Sequence, residues 1–110
     1  ADAGGGSVEA RVTRRAEERW ELLAEGRLES AYQYLSPGYR AAHSLKKYVG
    51  TIANPGIWEG AKVRDMECEG PRCKVRLVLN LNLNPGGRVQ TLIEEAWIRA
   101  DGHWWFVPRR

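Results

Sequence analysis

Lys74–Val107, KVRLVLNLNLNPGGRVQTLIEEAWIRADGHWWFV, is the stretch that decides the fold, and it reads as three consecutive antiparallel strands. Val75, Leu77, Leu79, Leu81 and Leu83 recur at every second residue, so they line one face of the first strand. Lys74, Arg76, Asn80, Asn82 and Asn84 take the opposite face, where Val78 is the only apolar residue. That alternation predicts a sheet with one dry side and one wet side. Asn84-Pro85-Gly86-Gly87 and Asp101-Gly102 supply the turns.

Working outward, a strand over 58–68 precedes this unit and forms a hairpin with it. If Glu69-Gly70-Pro71-Arg72 is a four-residue loop, Cys68 faces Cys73, Glu67 faces Lys74 and Asp65 faces Arg76. The last two are opposite-charge cross-strand pairs on the wet side, and Val63 would then meet Val78. The register also sets the two sulfurs across from each other, at a separation suited to a disulfide. Cys68 and Cys73 are the only cysteines. A C-x4-C pair without nearby histidines is short of the four ligands of a structural zinc site, and a redox pair favours C-x-x-C at a helix start. A structural disulfide and a pair of buried thiols remain, and the geometry favours the disulfide. A disulfide implies an oxidising compartment, so the expected location is periplasmic or secreted.

Upstream lie helices. Ser7 is a good N-cap, and Val8, Val12, Ala16, Trp20 and Leu23 follow helical spacing as a narrow apolar stripe. Gly26 is a natural stop. Leu28, Ala31, Tyr32 and Leu35 mark a second short helix, Ser36-Pro37 a fresh cap with proline at the first helical position, and Ser44 the cap of another turn or two. Asn54-Pro55-Gly56 breaks the chain before the first strand. Helices followed by an antiparallel meander define the α+β class, with N-terminal helices packed on a curved antiparallel sheet. Residues 1–7, with three consecutive glycines, read as a flexible lead-in, and 8–110 as one domain.

The 110 residues are 43% hydrophobic and 28% charged, with a net charge of +3, as expected of an ordinary globular domain. The basic residues are mostly interleaved with acids, as in RRAEERWE, which reads as a solvated mixed-charge face. Apart from Arg109–Arg110 there is no concentrated basic stripe, so nucleic acid is not an expected partner. No apolar run approaches the roughly 20 residues of a membrane span, so no transmembrane segment is expected.

Arg19-Trp20, Leu23, Gly26, AYQYLSPGYR (31–40) and Tyr48, combined with EEAWIRADGHWWFV (94–107), resemble the NTF2-like superfamily, in particular its exported bacterial members of undefined role. The resemblance implies a cone: a curved sheet around a long N-terminal helix, with a pocket at the wide end. It spans isomerases, dehydratases, cyclases, transport factors and plain binding modules, so it does not choose a function. Enzymes of that fold usually carry an Asp or a His–Asp pair in the cone.

Here the candidates are Glu94 and Glu95. Being adjacent on a strand, they point to opposite faces, so one of them meets the leucine face. A four-residue loop at Pro85–Arg88 sets Glu94 against Leu79; a three-residue loop sets Glu95 against Leu77. A carboxylate there is costly unless it is paired, hydrated or used. It reads either as a general base of raised pKa, or as an ion-pair partner of Arg64 or Lys62, or as part of a sheet that projects past the helix and stays wet. His43 and His103 are expected at the surface. One of Trp104 and Trp105 faces the core and the other faces out, where an outward tryptophan marks a partner or ligand surface.

The preferred reading is a non-catalytic ligand-binding or protein-interaction module. Its pocket is lined by Trp20, Leu77, Leu79, Trp97 and one glutamate, with Arg64 nearby, and takes a small apolar or amphipathic ligand. The sheet face serves a homodimer or a partner protein, and no cofactor or metal is called for. The alternatives are a small isomerase- or dehydratase-type enzyme using Glu94 or Glu95 as base, and a structural subunit of an envelope assembly.

Overall fold

The computed structural model describes residues 7–52 and 55–108. The glycine lead-in through Gly6, Asn54 of the expected break, and Arg109–Arg110 lie outside the described residues. The order is α1 (Val8–Ala24), α2 (Leu28–Tyr32), α3 (Pro37–Ala42), α4 (Leu45–Gly50), a short 3-10 turn (Pro55–Ile57), then β1 (Trp58–Glu69), β2 (Arg72–Asn82), β3 (Arg88–Ala100) and β4 (His103–Val107). The strands form one antiparallel sheet in the order β1-β2-β3-β4. The fold is α+β, with the helices packed on an open four-stranded sheet.

The helix boundaries follow from local chemistry. Ser7 accepts from the Ala10 N–H at 3.1 Å, satisfying one orphan donor of the first turn. At the other end Gly26 takes φ 77°, where a Cβ would strain, and the Arg27 N–H closes back onto the Leu22 carbonyl. Ser36 caps α3 through the Tyr39 N–H, and Ser44 caps α4 through that of Lys47. The helices α2, α3 and α4 are too short to persist alone. Tyr32, Leu35 and Tyr48 hold them together as a small second core.

The main core lies between α1 and the dry face of the sheet. Val12, Ala16, Trp20 and Leu23 meet Val75, Leu77, Leu79 and Trp97, all buried. The first hairpin keeps the expected pairs Cys68↔Cys73, Glu67↔Lys74 and Asp65↔Arg76. Cys68 and Cys73 form a disulfide. Beyond Asp65 the register shifts, and Val63 faces Leu77, not Val78. Arg64 is the extra residue of this bulge. Inserting it turns Val63 and Ala61 to the dry side and leaves Arg64 exposed.

The second hairpin closes around Asn84–Gly86, a three-residue loop that starts one residue earlier than either expected loop. Asn82 pairs with Arg88, and Leu83 closes on Gly87 through a 2.8 Å N–H···O bond. Glu95 consequently sits opposite Val75 and Glu94 opposite Arg76. Asp101 and Gly102, both at positive φ, make the two-residue turn into β4.

The edges of the sheet are treated differently along their length. On β1 the bulge breaks the edge, and Glu17 of α1 accepts the Val63 N–H at 2.9 Å. On β4 the connection after α2 lies alongside as a parallel bridge between Leu35 and Phe106. Phe106 donates its N–H to Tyr34, and Ser36 donates to Phe106. β4 itself pairs only with Ala96–Ala100. The remaining length of β3, from Arg88 towards Glu94, pairs with β2 on one side and with no described strand on the other.

Candidate functional site

Glu95 is the inward member of the glutamate pair, 5% exposed. The bulk of α1 and the sheet removes it from water, so its charge needs partners within the protein. It has three. Arg19 Nη1 donates at 3.0 Å and the Trp20 indole N–H at 2.8 Å to one oxygen, and the Trp97 indole N–H donates at 3.0 Å to the other. Arg19 is itself buried, and its guanidinium lies 3.9 Å from the centre of the Phe106 ring, which the cation faces in place of water. Among the described residues its Nε has no hydrogen-bond partner.

Glu95 therefore meets neither Arg64 nor Lys62. Arg64 is exposed at the bulge, and Lys62 lies 4.0 Å from Glu17 on the outside. The charged run RRAEERWE is not solvated throughout, because Arg19 belongs to the apolar stripe. It lies seven residues after Val12 and three after Ala16, which sets it on the buried face. An arginine on the helical stripe facing a glutamate on the dry strand face was the signal for the pair.

Glu94 faces outward beside Arg76, whose Nη1 lies 3.7 Å from it. Arg76 also donates to Asp65, and that hydrogen bond holds its guanidinium above the ordinary arginine pKa. Trp20, Leu77, Leu79 and Trp97 are brought together, but as packed core: Leu77 and Trp97 are 0% exposed. A wide-mouthed pocket between them would need the space that Trp97, Phe106 and Arg19 fill.

A surface concavity of about 230 Å³ lies on β2 and β3, with Glu94, Glu95 and Trp97 among its lining residues, and larger ones lie elsewhere. A groove of about 760 Å³ runs between α3, α4 and the end of β4, past Tyr39, His43, Thr51 and Val107. Tyr39 and His43 stack there at 4.1 Å, which leaves His43 half-buried, whereas His103 is exposed. Trp104 turns inward, and Trp105 lies half-buried on the outer side with Arg15 and Arg40 over its ring. Arg15 also stacks on Tyr34 at 4.5 Å and donates to the Trp104 carbonyl at 2.7 Å. Burial pushes the Tyr34 phenol above its usual range, helped by the neighbouring Glu18 carboxylate that it hydrogen-bonds. Burial lowers the Arg15 guanidinium. Among the described residues no three His, Cys, Asp or Glu side chains gather as a metal site, and no helix is long and apolar enough to cross a membrane.

The most open apolar surface is the distal β2–β3 hairpin. α1 does not reach it, so Leu83 and Val89 on the inner face are 43% and 39% exposed, and Leu92 on the outer face is 50% exposed. Residues 88–92 are all exposed. The wet-sheet alternative concerns the inward glutamate, which is buried; the exposed part of β3 is the distal one.

No family model and no curated protein matches this chain. Among solved structures, it is similar to the solution structure of a SEC-C motif containing protein from Rhodopseudomonas palustris. The TM-score is 0.65 at 15% identity, over 93% of this chain and 76% of that one. At that identity the likeness concerns the fold alone. It overturns the NTF2-like resemblance drawn from the sequence. The residues that carried that resemblance are accounted for without a cone: the aromatic and Trp-rich segments serve a filled core beneath an open sheet.

Proposed function

We propose that this chain is a non-catalytic protein-interaction module that works through the distal β2–β3 hairpin. The observation that carries the reading is the unpartnered, apolar-flanked length of β3 beside Leu83, Val89 and Leu92. An edge of this kind templates further pairing and is normally blunted, as the other edges of this sheet are. The enzyme reading draws less support. A general base must reach a substrate proton, and both oxygens of Glu95 already accept from buried donors. A small ligand would have to occupy a surface groove, since the core is filled. The Cys68–Cys73 disulfide supports a periplasmic or secreted setting.

The test is site-specific photo-crosslinking in the host, with the probe at Val89 or Leu92 and a control at Glu21 on the exposed side of α1. Discrete adducts are expected from Val89 and Leu92 and not from Glu21. Adducts from Glu21 alone, or none from the hairpin, would remove the proposal.

A further inference from the structure

We infer that the occupant of the open edge is a second copy of this chain, with the two β3 strands pairing antiparallel about a two-fold axis at Thr91. This deepens the interaction-module reading and rests on it. The direction of the backbone groups comes first. Ala100 and His103 flank a two-residue turn and so exchange hydrogen bonds. By alternation Ile98 and Ala96 also bond towards β4, while the odd-numbered residues bond towards β2, as the Arg99 N–H does with the Pro71 carbonyl at 2.8 Å. Continuing the alternation, Arg88, Gln90 and Leu92 aim their N–H and C=O groups out of the open edge.

Self-pairing centred on Thr91 then satisfies those groups. Gln90 exchanges backbone bonds with Leu92 of the second copy, and the reverse. On the helix side Thr91 meets Thr91, and Val89 meets Ile93, a β-branched pair. On the outer side the two half-exposed Leu92 side chains become diagonal neighbours. The charges decide the register: Arg88 falls opposite Glu94 of the second copy at both ends of the joint.

Each charge also terminates a row already present within one copy. Asp65, Arg76 and Glu94 face one another across β1, β2 and β3, and Arg88 is backed by Glu59 at 3.2 Å, which also accepts from Asn82. The joint therefore runs Asp65–Arg76–Glu94 into Arg88–Asn82–Glu59 of the second copy, with alternating sign among the charged members. Moving the centre to Gln90 or Leu92 loses the Arg88–Glu94 contact. Opposed charges of this kind select register and partner.

Sedimentation of the purified full chain should show a monomer–dimer equilibrium. Arg88→Glu and Glu94→Arg should each weaken it by about tenfold or more, and R88E/E94R together should regain affinity to within about threefold. Independently, Thr91→Cys should give a disulfide-linked dimer on mild oxidation, because only position 91 meets itself, and Gln90→Cys should not. A chain that stays monomeric at on the order of 100 µM, with no Thr91→Cys dimer, overturns the inference. If hairpin crosslinks in the host then join a different protein, the module reading survives and only its occupant is wrong. If the hairpin gives no crosslinks at all, both fail.

Discussion

Replacing Glu95 with glutamine would leave the Arg19 guanidinium buried without a counter-charge. The expected loss is about 3–5 kcal/mol, read from urea denaturation. Arg19→Met added to Glu95→Gln should recover part of that loss, since the stranded charge is then gone. A single-variant loss below about 1 kcal/mol would mean that the pair is solvated. Tyr34 gives a pH dependence. Its phenol is raised in the folded state, by burial first and Glu18 second, so the neutral form is favoured on folding. The stability it brings is complete below the unfolded value of about 10 and is lost as pH rises through the higher folded value. Tyr34→Phe should therefore flatten the alkaline fall in Tm above about pH 10, and an unchanged slope would contradict it. At this scale the sequence exposed the glutamate, because a strand has only two faces. It hid the arginine, because a helix stripe is blurred by a long side chain in a run of mixed charge.

At the scale of elements, Leu77 and Leu92 occupy opposite faces of one sheet and should behave oppositely. Leu77 is fully buried beneath α1, so Leu77→Ala should cost about 2–5 kcal/mol. Leu92→Ala should change stability by no more than about 0.5 kcal/mol while weakening association. Equal effects on stability would show that the distal hairpin is covered within the monomer. Most of the elements were legible: the caps at Ser7, Ser36 and Ser44, the glycine stop and the meander each have a local cause. The first register was legible as far as Asp65, where charge pairs fix it. It failed at Arg64, because a bulge is selected by what the neighbouring strand and helix need at Val63, not by Arg64 itself.

At the scale of the molecule, the missing information was coverage. Alternation marks a dry face but does not say how far a helix extends across it, so the same leucine row runs from buried Leu77 to exposed Leu83. The pocket expected around Trp20 and Trp97 was lost for the same reason: the volume is closed by Arg19, the neighbour of Trp20 on α1, and by Phe106 of β4. That closure also bears on the order in which the chain is made. Arg19 and Trp20 find their acceptor 76 and 75 residues later, and the Tyr34–Ser36 segment finds its partner only in Phe106. During synthesis from the N-terminus, α1 must wait with a cation on its apolar stripe until Glu95 has emerged, and the last strand seals what the first helix began. The dry surface that α1 offers is thus completed only when residues far apart in sequence, Arg19 with Glu95 and Tyr34 with Phe106, have met.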